Sequence, residues 1–74
     1  MQRKHMKIRL NHNNEVLNTD KSRISIDELL EIKNFTFELL IVKVNGNLIK
    51  KESYTSTYIK DGDDVQVIHV FGGG

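Results

Sequence analysis

The chain has 74 residues, a formal net charge of +1, and neither cysteine nor proline. That length suits one domain, since domains of about 55–65 residues already fold alone, and the missing thiols exclude a disulfide framework and a thiolate metal site. The near-neutral charge gives no reason to expect nucleic acid or an anionic membrane as partner, and no apolar run approaches the ~18 residues of a membrane span.

The opening, MQRKHMKIRL, is basic with no apolar stretch of signal-peptide type behind it, so a cytoplasmic protein is expected. Residues 1–5 read as a flexible, solvated arm, 6–71 as the folded domain and 72–74 as a flexible glycine tail; Met6 could serve as the start as well as Met1. Met6 to Leu10 alternates apolar and basic side chains, the period of a half-buried strand. Asn11 to Asn14 is turn chemistry, because asparagine tolerates left-handed backbone, and Glu15 to Thr19 is the return strand of a hairpin.

In ISIDELLEIK, Ser25 and Glu28 have the spacing of a capping box, and Ile24 and Leu29 that of a hydrophobic staple. Ile26, Leu29 and Leu30 share one helical face, and Asp27 and Glu28 sit where the helix dipole favours negative charge. The spacing predicts a helix over 25–33, with Phe35 and Phe37 closing over the core. Leu39 to Val44, then Asn45-Gly46, then Leu48 to Lys50 is a second hairpin around a preferred two-residue turn. The stretch from Ser53 to Asp64 reads as irregular, anchored by Tyr54, Tyr58 and Ile59 and turned by Asp61-Gly62-Asp63, and Val65 to Phe71 is the last strand.

One helix after an opening hairpin must bury its face on the sheet formed by all the strands. Pairing the first and last strands in parallel at the centre leaves the least open edge. The expected fold is an α+β roll: a mixed sheet of four to five strands with one main helix across it.

Enzyme signatures are missing. No cysteine nucleophile exists, and Ser22, Ser25, Ser53 and Ser56 lie outside any G-x-S-x-G elbow. No phosphate-binding glycine loop is present. His5, His12 and His69 are far apart, and Asp61, Asp63 and Asp64 suit a turn better than a calcium loop. No catalytic residue, metal or bound cofactor is expected.

What remains is the end, VFGGG. Glycine lets a backbone pass through a tight slot, because no Cβ stands in the way. Three extended residues reach about 10 Å, enough to deliver the Gly74 carboxylate into a neighbour's active site while Gly72 and Gly73 thread the approach. A carboxylate, ionised at neutral pH with a pKa of about 3.3–3.7, is a poor electrophile. Attack on the α-phosphate of ATP would activate it as an acyl-adenylate, and a sulfur nucleophile could displace AMP to leave a thiocarboxylate. A chain without cysteine has no side chain on which to carry sulfur, which again points to Gly74.

On the last strand, alternation assigns Val65 and Val67 to the core and Gln66, Ile68 and Val70 to the open sheet face. Lys43 points the same way if Val42 and Val44 face inward. Lys43, Ile68, Val70 and Phe71 are therefore the candidate docking residues for a partner, since exposed apolar pairs often mark contact surfaces.

The order of elements, the stretch KDGDDVQVIHV and the final glycines resemble the ubiquitin-like β-grasp sulfur carriers, and most of all the thiamine-biosynthesis sulfur carrier (ThiS) family. That family tends to end in D-G-D-x-[VI]-x-[VI]-[VI]-H before its glycines, matched here by Asp61, Gly62, Asp63, Val65, Val67, Ile68 and His69. Phe71 departs from the small residue or valine common in relatives. The resemblance implies adenylation of Gly74 by an E1-like adenylyltransferase that uses ATP, sulfur from a donor protein, and delivery to thiazole synthase. The small subunit of molybdopterin synthase shares the chemistry, but its tail more often carries proline. A passive ubiquitin-like binding module with a frayed glycine end is the alternative of another class.

Overall fold

The computed structural model describes residues 5–35 and 40–70. The expectations for residues 1–4, Phe37, Leu39, Phe71, Gly72, Gly73 and Gly74 lie outside the described residues. The elements run β1 (His5–Leu10), β2 (Asn13–Asn18), β3 (Arg23–Ser25), α1 (Ile26–Ile32), β4 (Leu40–Val44), β5 (Asn47–Ile49), a 3₁₀ turn (Lys51–Ser53), β6 (Tyr58–Lys60) and β7 (Asp64–His69). Five strands form a mixed sheet in the order β2-β1-β7-β4-β5, with β7 at its centre. β7 runs parallel to β1, with Arg9 opposite Asp64 and Leu10 opposite Val65, and antiparallel to β4 from Val44–Val65 to Leu40–His69. The parallel pairing expected of the first and last strands is therefore present, and the fold is the α+β roll with one helix.

Alternation decides which face is buried. Met6, Ile8 and Leu10 of β1, Val42 and Val44 of β4, and Val65 and Val67 of β7 point into one core with Ile26 and Leu29 of α1. The helix begins as its sequence predicts: Ser25 is the N-cap, and the Glu28 N–H donates to Ser25 Oγ at 3.1 Å. The Glu28 carboxylate takes a 2.7 Å hydrogen bond from Lys21 Nζ, which lowers its pKa and raises that of the lysine. The other half of the capping box is present too, with the Ser25 backbone N–H helping to lower the Glu28 pKa. The helix's first two donors are met from a distant loop, Ile26 N–H by the Thr57 carbonyl and Asp27 N–H by that of Tyr54. Tyr54 is buried, and burial pushes its phenol pKa up.

Asn34 ends the helix. Its φ of 57° is left-handed, its N–H donates to the Glu31 carbonyl and the Phe35 N–H to that of Leu30. That pair of bonds is the Schellman stop, here with asparagine in the place glycine usually takes. Phe35 packs against the core, as expected of it.

Three sequence expectations change. The first turn is two residues, Asn11 and His12 with φ of 51° and 68°, so Asn13 and Asn14 belong to β2 and pair with Leu10 and Arg9. Two residues at positive φ match the twist of the flanking strands better than a longer loop does. His5, assigned to the arm, stands as the first residue of β1, opposite Asn18. Finally, the stretch read as irregular contains β6, which pairs antiparallel with β3 in a second, two-stranded sheet. Ile24 and Ile59 face each other in that ladder and are wholly buried. Strands of three residues are too short to show alternation, and their pairing spans more than thirty residues of chain.

Candidate functional site

The site is built around both ends of β7. At its start, the segment Asp61–Asp64 ties three elements together. Gly62 takes a φ of 91°, left-handed backbone that glycine adopts without a Cβ penalty, and its N–H donates to the Lys7 carbonyl at 2.7 Å. The Lys7 N–H in turn donates to Asp61 Oδ1 at 2.7 Å. Asp63, 7% exposed, accepts from the Lys60 N–H at 2.8 Å and from Asn45 Nδ2 at 3.2 Å. The aspartates thus serve the turn, as their spacing suggested.

Two asparagines grip β7 from opposite flanks. Asn45, from the turn between β4 and β5, accepts the Asp64 N–H on its side chain at 2.9 Å and gives its own N–H to the Asp64 carbonyl at 2.7 Å. Asn11, from the turn between β1 and β2, accepts the Val67 N–H on Oδ1 at 2.8 Å. None of these three bonds follows from the sequence. An asparagine in a turn signals left-handed backbone, but the target of its side chain depends on which strand lies alongside.

At the other end, Ile68 and Val70 are exposed, at 43% and 37%, while Val65 and Val67 are buried. Lys43 is half-buried between the buried Val42 and Val44. The register sets Ile41 opposite Ile68, Lys43 opposite Gln66, and Leu48 opposite Lys43. Ile41 (37% exposed) and Leu48 (61%) therefore extend the apolar patch. Sequence reasoning did not single them out, although Ile41 lies two positions before Lys43 and alternation alone would have found it. Lys7 and Arg9, exposed between the buried residues of β1, add positive charge to the same sheet face. Phe71 and the three glycines lie outside the described residues.

The histidines stay apart in the fold. His5 opens β1, His12 sits in the first turn with Nε2 3.3 Å from Gln66 Nε2, and His69 closes β7. Among the described residues no three His, Cys, Asp or Glu side chains gather as a metal site, and no helix is long and apolar enough to cross a membrane.

Comparison with known proteins places this geometry. The family model of the ThiS family matches residues 5–74. The crystal structure of the thiamine biosynthesis protein (ThiS) from Geobacter metallireducens superposes with a TM-score of 0.79 at 28% identity, covering 93% of this chain and 100% of that one. A solution structure of a thiamine biosynthesis protein from the same organism gives 0.72 at 26% identity, covering 93% and 88%. Among curated sequences, the uncharacterized protein ycf40 of Pyropia yezoensis is 36% identical over 70 residues, 95% of this chain and 97% of that protein. Its namesake in Porphyra purpurea is 35% identical over 51 residues, 69% and 72% of the two lengths. A central β7 parallel to β1, one helix across a five-stranded mixed sheet, and a family match over 5–74 lead to one conclusion: this chain belongs to the ThiS family of ubiquitin-like β-grasp sulfur carriers of thiamine biosynthesis.

Proposed function

We propose that the chain is a protein cosubstrate, itself no enzyme, whose Gly74 carboxylate carries sulfur. A carboxylate oxygen attacks the α-phosphate of ATP in the active site of an E1-like adenylyltransferase, and pyrophosphate leaves. The terminal sulfur of a donor protein's persulfide then attacks the acyl carbon and AMP leaves; a thiol cleaves the S–S bond of the resulting acyl disulfide, forming a disulfide with the donor's sulfur and leaving a thiocarboxylate, which gives its sulfur to thiazole synthase. The observation that carries this reading is the position of β7. It is the central strand of the sheet, bonded on both flanks, and it leads through Val70 straight into Phe71, Gly72, Gly73 and Gly74. A rigid body thereby holds the base of a segment slim enough to enter a partner's slot.

The test is intact mass after incubation with ATP, an E1-like adenylyltransferase and a sulfur donor. The mass should rise by the difference between sulfur and oxygen, and fragmentation should place the change on Gly74. An unchanged mass under conditions that load another carrier of the family would refute the proposal.

Lys43, Ile68, Val70 and Phe71 form the docking surface in this reading, with Ile41 and Leu48 beside them. Changing Ile68→Asp is expected to weaken binding to the adenylyltransferase by about tenfold or more, because it places a charge where an apolar contact must be desolvated. The melting temperature should barely move, since Ile68 is exposed. Calorimetric titration and a thermal melt read the two effects separately.

A further inference from the structure

We infer that Asn11 is a positioning residue for the reactive carboxyl end, acting through the main chain of β7; the inference rests on the carrier reading. The Asn11 bond arises where the parallel ladder between β1 and β7 runs out. The Arg9 N–H donates to the Asp63 carbonyl and the Asn11 N–H to that of Val65, both at 2.9 Å. In a regular parallel ladder the next bond would run from the Val67 N–H to the main-chain carbonyl of Asn11. The chain cannot supply it, because it turns back at Asn11 and His12, both at positive φ. The redirected Asn11 carbonyl instead accepts from Asn13 Nδ2 at 3.3 Å. The Asn11 side chain takes over the missing acceptor, with Oδ1 2.8 Å from the Val67 nitrogen.

That substitution carries the two-sided hold on β7 further than β1 itself reaches. Strand pairing with β1 ends at Leu10–Val65, whereas pairing with β4 continues to Leu40–His69. Without the Asn11 bond, the strand pairing of β7 beyond Val65 would lie on the β4 flank, with the 3.3 Å contact between the His12 and Gln66 side chains as a weaker link to the first turn. With it, both flanks are secured to Val67, three residues before Val70. The direction in which the chain leaves the sheet is then set before any partner arrives, which removes part of the ordering cost of binding. A turn residue with no further task could equally be glycine; the bond to Val67 is what asparagine adds.

The experiment compares wild type with Asn11→Gly, which accepts the same turn but has no side-chain acceptor, and Asn11→Asp, which keeps one. Adenylation by an E1-like enzyme is followed by pyrophosphate exchange as a function of carrier concentration, alongside hydrogen exchange of the Val67 amide. Asn11→Gly should raise KM about three- to tenfold, the size of one net hydrogen bond, with kcat nearly kept and Val67 exchange accelerated. Asn11→Asp should stay within about twofold of wild type. A wild-type KM in Asn11→Gly despite lost Val67 protection would overturn the inference, as would equal defects in both variants. An unprotected Val67 amide in the wild-type protein would overturn it whatever the variants do. If the wild-type chain is not adenylated at all, the carrier reading itself fails and takes this inference with it.

Discussion

Removing Gly74 is expected to abolish sulfur loading while leaving the fold untouched. The deletion moves the terminal carboxylate back by one residue, about 3.3–3.6 Å of extended chain. Nucleophilic attack needs reacting atoms about 3–3.5 Å apart, and a misplacement of about 1 Å already costs on the order of 100-fold in rate. A carboxylate a full residue short cannot meet the α-phosphate from the same docked body. Stability should not change, because the buried core runs from Met6 to Val67. The measurements are intact mass after loading and a thermal melt on the same sample. A shortened chain that loads as well as wild type would show that the reactive group lies elsewhere.

The second large effect concerns the body. Leu29→Ala is expected to cost about 2–5 kcal/mol, the range for truncating a buried leucine. Leu29 is wholly buried at the centre of α1. That helix has only 7 residues, far fewer than an isolated helix needs, so packing against the sheet keeps it formed. A domain of 74 residues is expected to have a total stability of about 4–11 kcal/mol. The substitution thus removes a large share of it and should lower the melting temperature by about 10 °C or more. A loss under about 1 kcal/mol by denaturant titration would mean that α1 contributes little to the core. Function should fail with folding here, whereas deletion of Gly74 separates the two.

Much of the fold was legible because its signals are local. Ser25 announces a helix start through its own reach to the Glu28 amide, and Asn45-Gly46 announces a hairpin through the φ values of 50° and 85° that those residues tolerate. Alternation in β1 and β7 placed Met6, Ile8, Val65 and Val67 inside and left Ile68 outside. The candidate site was legible on the β7 side for the same reason. Leu48 was not, since its place beside Lys43 follows from the register of a three-residue strand across a turn.

The family resemblance implies a reactive glycine segment, and local sequence signals settle the helix start, the Asn45-Gly46 turn, and the inward and outward faces of β1, β4 and β7. These depend on dihedral preference and period, which act over a few residues. Packing of the whole chain settles that β3 and β6 pair in a second sheet, that Glu28 answers Lys21, and that Asn11 and Asn45 clamp β7. Each of those contacts joins groups whose meeting depends on how the whole chain has packed, so a side chain's donors and acceptors are known from its identity, while its partner is settled only when the strands come together.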